Sequence, residues 1–171
     1  AFAGSPLMVA LEPLIASGWL PQPALPDGGF DSDRVDFARV VPWRLAQLRR
    51  AARGFFARAD AAEQAAFAHW CAAQASWLDD YTLFMALEEA HAGAAWWHWQ
   101  PELRDRVAAA LAAARSEHAE AIRFWQFVQW CFDNQACALK AYANQRQVSL
   151  MGDLPIFIAH HSADCWSHPE L

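Results

Sequence analysis

The feature that most constrains this chain is a helical rhythm that runs, with few breaks, from Pro42 to about Gln147. Pro42 suits a first-turn position, where its missing N–H is one the helix leaves unpaired anyway, and "WRLAQLRRAARGFFARA" continues from it. "DAAEQAAFAHWCAAQASWL" opens with Asp60 and carries Glu63 three residues on, the spacing of a reciprocal N-terminal cap. "LDDYTLFMALEEAHAG" reads as a third helix ending near Gly93. After the aromatic turn "AAWWHWQPEL", "RDRVAAALAAARS" is a fourth. The fifth, "EHAEAIRFWQFVQWCFDNQACALKAYANQRQ", is the longest. Its stripe of Ala121, Trp125, Val128, Phe132, Leu139 and Tyr142 has one polar break at Gln135, and Phe124, Phe127 and Cys131 broaden it. Alanine supplies much of the 56% apolar content and is the best helix former, so composition and periodicity agree.

The two ends read differently. "PLMVALEPLIASGWL" passes from an apolar run into a helical turn closed by Gly18, and "PQPALPDGGFDSD" is a loop. After the fifth helix the period changes, and "VSLMGDLPIFIA" reads as a strand over 148–158, buried on both faces. A helix feeding a buried strand is half of a βαβ unit, yet no further strand follows. The chain opens without methionine, and both ends read as cut from something longer. At 171 residues it is long enough for one substantial core.

A formal net charge of -6 argues against nucleic acid as a partner. The cluster Arg44, Arg49, Arg50, Arg53 and Arg58 has no aromatic interleave and reads as a solvated helix face. No window has the apolar length of a membrane span. The four cysteines form no CxxC pair, which fits a reducing, cytoplasmic setting.

Chemistry-bearing residues crowd the last stretch, "AHHSADCWSHPEL". Asp153, inside the expected strand, would be a buried carboxylate needing partners. His160, His161, Asp164 and His168 could supply metal ligands, but their spacing matches no one helix face, and neither metal nor cofactor is expected. Ser162 has no GxSxG context, so it is not read as a nucleophile. Of the ten tryptophans, Trp70, Trp77, Trp125 and Trp130 fall at core spacing. Trp96, Trp97 and Trp99, in the aromatic turn, are the candidates for exposure.

Four segments, "AFAGSPL", "LDDYTLFMALEEAHAG", "QWCFDNQACALKAYANQR" and "GDLPIFIAHHSADCWSHPEL", together resemble the 4-α-glucanotransferases of the amylomaltase type, in the glycoside hydrolase clan of the α-amylases. The resemblance implies a mainly α chain: a helical subdomain plus the early strands of an incomplete (β/α)₈ TIM barrel. The implied parts are an early barrel element and loop at 1–30, a helical insertion at 31–116, and a barrel helix, strand and catalytic-face loop at 117–171. It implies transfer of α-1,4-glucan segments between malto-oligosaccharides by a retaining double displacement between two carboxylates. The family's nucleophile motif, of the "RIDHFRG" kind, has no counterpart here. The resemblance therefore implies no catalytic residue in this chain, which alone would be inactive. It carries Asp153, His161, Ser162, Asp164 and Trp166 over as substrate-binding or scaffold positions. Two departures stand out: His161 where the family usually has aspartate, and Ser5 where it has asparagine. A free-standing helical binding module without catalysis is the alternative, and self-association through the unpaired strand is a further expectation.

Overall fold

The computed structural model describes residues 2–25, 29–153 and 156–170. Its helices are α1 (Glu12–Ala16), α2 (Phe37–Arg58), α3 (Ala61–Ala90), α4 (Pro101–Arg104), α5 (Ala108–Glu117), α6 (Ala119–Gln145) and α7 (Ala163–Ser167), with 3₁₀ turns at Pro6–Met8 and Trp96–His98. No helix among the described residues is long and apolar enough to cross a membrane.

The early barrel strands are overturned: among the described residues there is no strand. The stretch at 1–30 expected to hold a barrel element contains a 3₁₀ turn and the short α1. Of the strand expected over 148–158, Leu154 and Pro155 lie outside the described residues, and the rest has no ladder partner. A strand exists only by pairing, and an apolar run with β-branched residues cannot supply its own neighbour. Its side chains are exposed rather than buried on two faces, Met151 at 97% and Ile156 and Phe157 at 90% each.

Several helix boundaries also differ from those the sequence predicts. The second and third expected helices are one helix of 30 residues, because nothing between Trp77 and Tyr81 breaks it. Asp60 and Glu63 do cap it reciprocally, each side chain accepting from the other's backbone N–H at 2.9 and 2.8 Å. α2 starts at Phe37, with the Asp36 carboxylate accepting from the Ala38 N–H, so Pro42 lies inside the helix rather than in its first turn. Gly18 and Gly93 close α1 and α3 at φ +72° and +79°, the left-handed region where glycine meets no Cβ penalty. "RDRV" is not helical throughout: Arg106 sits at φ +57° between α4 and α5.

The residues divide into two compact units. One comprises Gly4–Trp70 and Phe127–Leu139. Its core is aromatic, with Phe55 central: ring centroids of Trp19, Phe67, Phe127 and Trp130 lie 4.9–5.5 Å from it. Such pairs contribute about 0.5–1.5 kcal/mol each beyond burial. Gly54 permits this approach, since a Cβ there would lie 1.8 Å from the Trp19 carbonyl oxygen. The segment 4–20 is held by side chains. The buried Gln129 accepts from the Gly4 N–H at 2.8 Å and donates to its carbonyl at 2.9 Å, and Gln135 does the same at Ala10, at 2.7 and 3.0 Å. Arg44 donates to the Val9 carbonyl and Arg58 to that of Trp19, so part of the arginine cluster binds backbone instead of facing only solvent.

The other unit comprises Ala1–Ala3, Cys71–Gln126 and Lys140–Leu171. Its core joins Leu83, Phe84 and Leu87 of α3 to Trp99, Leu111, Ala114 and Trp166. Trp166 is fully buried, its indole N–H donates to the Leu103 carbonyl at 3.0 Å, and the Arg106 guanidinium lies 4.4 Å from its ring centroid.

The four cysteines are free thiols. Burial, with Asp79 adding to it, pushes Cys71 up to about 11, and burial pushes Cys131 further up, so both act as small apolar groups.

Two stability outcomes follow from these contacts. Gln129→Ala leaves the Gly4 amide and carbonyl without their partner and lowers unfolding free energy by about 1–3 kcal/mol. Gln135→Ala, at a more exposed site, costs about 0.5–1.5 kcal/mol. Urea denaturation midpoints measure both, and an equal loss in the two variants would contradict the role of burial. Trp166→Ala costs about 3–5 kcal/mol, while Trp166→Phe keeps an aromatic ring in the core and loses the indole donor and part of the ring volume, about 1–3 kcal/mol. Thermal unfolding of the two variants side by side checks that the loss of packing in Trp166→Ala is the larger of the two.

Candidate functional site

α3 carries a second stripe beside its core face. Trp77, Asp80, Tyr81, Phe84 and Glu88 recur at three- and four-residue steps and so share one side of the helix. This side forms one wall of a groove of about 430 Å³ within the second unit, and the loop that starts α7 forms the other. From that loop come His161 and Ser162, from the first turn of α7 comes Asp164, and Phe2 also lines the groove. The result is a mixed lining: apolar rings with a few hydroxyl, imidazole and carboxylate groups among them.

The expected site residues are distributed unevenly. His161, Ser162 and Asp164 are brought together in the groove. Ser162 also caps α7, its hydroxyl accepting from the Cys165 N–H at 3.3 Å. Trp166 lies beneath, wholly in the core. Asp153 is exposed, and the groove does not include it. Its expected burial fails with the strand that was to bury it.

His161 is held by several contacts while its side chain stays 27% exposed to the groove. Its Nε2 lies 3.2 Å from Glu88 Oε1, and its Nδ1 lies 3.4 Å from the Trp96 backbone nitrogen. The rings of Phe84 and Trp97 stand 5.5 and 5.8 Å away, centroid to centroid. Asp80 has a different surrounding: Arg106 reaches its Oδ1 at 2.8 Å and Arg115 at 3.5 Å. Since Arg106 also covers Trp166, one guanidinium links the groove's α3 wall to the core under α7. Of the aromatic turn, Trp99 is buried, while Trp97 is 38% exposed and stacks on His160 at 4.7 Å.

Sequence reasoning missed Asp80, Tyr81 and Glu88, and it assigned Trp77 to packing. The signal was present as the spacing 77, 81, 84, 88, an aromatic–acidic stripe at helical period. It was obscured because the adjacent face, Leu83 and Leu87, is apolar at the same period. No group of three or more His, Cys, Asp or Glu among the described residues is placed to hold a metal ion.

The comparisons with known proteins are consistent with one another. The family model described as 4-alpha-glucanotransferase matches residues 1–171. A 4-alpha-glucanotransferase of Thermus thermophilus is 44% identical over 99% of this chain and 33% of its own length. One from Synechocystis is 38% identical over 99% of this chain and 34% of its own. The solved structure of an amylomaltase from Streptococcus agalactiae in complex with acarbose superposes with a TM-score of 0.88 at 26% identity, over 99% of this chain and 34% of that one. The chain thus spans about a third of the length of the curated relatives it matches. With a family model matched from end to end and the earlier resemblance borne out, the chain belongs to the 4-alpha-glucanotransferase family.

Proposed function

We propose that this chain is the part of a 4-α-glucanotransferase that grips an α-1,4-glucan, with 31–116 as its helical subdomain and the groove between α3 and the α7 loop as its sugar contact. One observation carries the reading: the groove sets the rings of Trp77 and Tyr81 beside His161, Ser162 and Asp164. Pyranose rings present C–H faces that pack on π systems and hydroxyl edges that hydrogen-bond to polar groups, and a groove of this mixture serves both. The acarbose complex of the Streptococcus agalactiae amylomaltase supports the same class of ligand.

The transfer follows a retaining double displacement whose nucleophile and acid/base carboxylates are supplied from outside these 171 residues. Retention requires two free carboxyl groups about 5–5.5 Å apart across the scissile bond. In this groove Asp80 is engaged by two arginines and Glu88 by His161, and this reading gives neither the part of nucleophile or acid. Asp153, which does not line the groove, has a scaffold role at most in this reading.

The 148–158 segment is the surface through which copies of the chain associate, because Met151, Ile156 and Phe157 expose nearly their whole side chains.

Two experiments test these statements. Maltoheptaose added to the purified chain changes its tryptophan fluorescence saturably, and Trp77→Ala weakens that binding about tenfold, while maltotriose yields no glucose above the blank. Glucose release by the chain alone would overturn the division of labour, and an unaltered affinity in Trp77→Ala would remove the stacking platform. In sedimentation velocity the chain sediments as more than a monomer, and Phe157→Glu with Met151→Lys shifts it to monomer. A purely monomeric wild-type chain at micromolar concentration would end the association proposal.

A further inference from the structure

We infer that Glu88 is the residue of the groove that accepts hydrogen bonds from sugar hydroxyls, and that His161 is a positioning residue acting through it. This rests on the glucan-binding reading above. A neutral imidazole has one donor and one acceptor. The Trp96 backbone N–H lies at His161 Nδ1 and can only donate, so Nδ1 is the acceptor and the ring proton sits on Nε2. Nε2–H then donates to Glu88 at 3.2 Å. Both polar atoms of His161 are thereby committed inside the protein, and none remains for a ligand.

Glu88 is different. A carboxylate has about four lone-pair sites, and His161 takes one of them. The Glu88 side chain is 29% exposed and lines the groove. The other carboxylate on the same helix side, Asp80, is matched by Arg106 and Arg115. Glu88 therefore holds the spare acceptor capacity on the α3 wall, about 10 Å along the helix from Tyr81. The imidazole, boxed by Phe84 and Trp97, fixes the carboxylate's direction so that its ordering cost is not borne by ligand binding.

Isothermal titration of maltoheptaose into the 171-residue chain tests this with Glu88→Gln, His161→Gln and the double variant. Glu88→Gln keeps the shape and can still accept from His161, so its melting temperature stays at the wild-type value while affinity falls about tenfold. His161→Gln weakens binding as well, and the double variant is no weaker than Glu88→Gln alone, because the two residues act as one unit. In the wild-type chain, ¹⁵N shifts of the His161 ring report the proton on Nε2. Binding by wild type that persists undiminished in Glu88→Gln overturns this inference and leaves the glucan reading standing. Additive losses overturn the positioning role by showing that His161 meets the sugar itself. No binding by the wild-type chain overturns both readings.

Discussion

The first unit depends on side chains taking the place of a backbone ladder. Within residues 4–20 the 3₁₀ turn and α1 satisfy part of the backbone locally, and the groups at Gly4 and Ala10 find their partners in side chains instead. The amides of Gln129 and Gln135 each present one acceptor and one donor, the same pair a neighbouring strand would offer, and they grip Gly4 and Ala10 in both senses. Gly4 is required by the closeness of this arrangement, since a Cβ would come within 2.2 Å of the Phe132 ring. Arg44 and Arg58 take two further carbonyls. Burial pulls the Arg44 guanidinium's pKa down while Glu12 opposes it, a cost tolerated because the charge meets a carbonyl.

In the second unit the organising contact is Arg106. Held at a positive φ that non-glycine residues rarely adopt, it covers the Trp166 ring and pairs with Asp80. One side chain thus fastens the core tryptophan of α7 to the groove wall of α3. His161 and Ser162 lead into α7, which carries Asp164 and Trp166, so the groove's shape rests on core packing beneath it.

Much of the helical part was legible in the residues. The reciprocal cap of Asp60 and Glu63 and the glycine stops at 18 and 93 are local arrangements, decided within a few residues of chain. The family was legible too, because four ordered segments carry it. Trp166, carried over as a substrate-binding or scaffold position, is a core residue. Trp77, assigned to packing, lines the groove. Both are tryptophans at helical spacing, and the sequence has no term that distinguishes the side of a helix facing solvent from the side facing a neighbour. The stripe on α6 shows the same limit: Trp125 and Val128 are buried, but Leu139 and Tyr142 are more than half exposed.

The sequence by itself determined where helices begin and end at its clearest signals, and which family the chain belongs to. Periodicity, capping and motif order are properties of neighbouring residues. Tertiary structure alone decided that the described residues of the 148–158 segment form no strand, that two glutamines clamp the backbone at Gly4 and Ala10, and that Glu88 stands beside His161. Each of these depends on a partner far along the chain, 125 residues away for the glutamine clamps and 73 for the histidine pair. A hydrogen bond or a ladder requires its second half in place, and no local pattern records where that half will be.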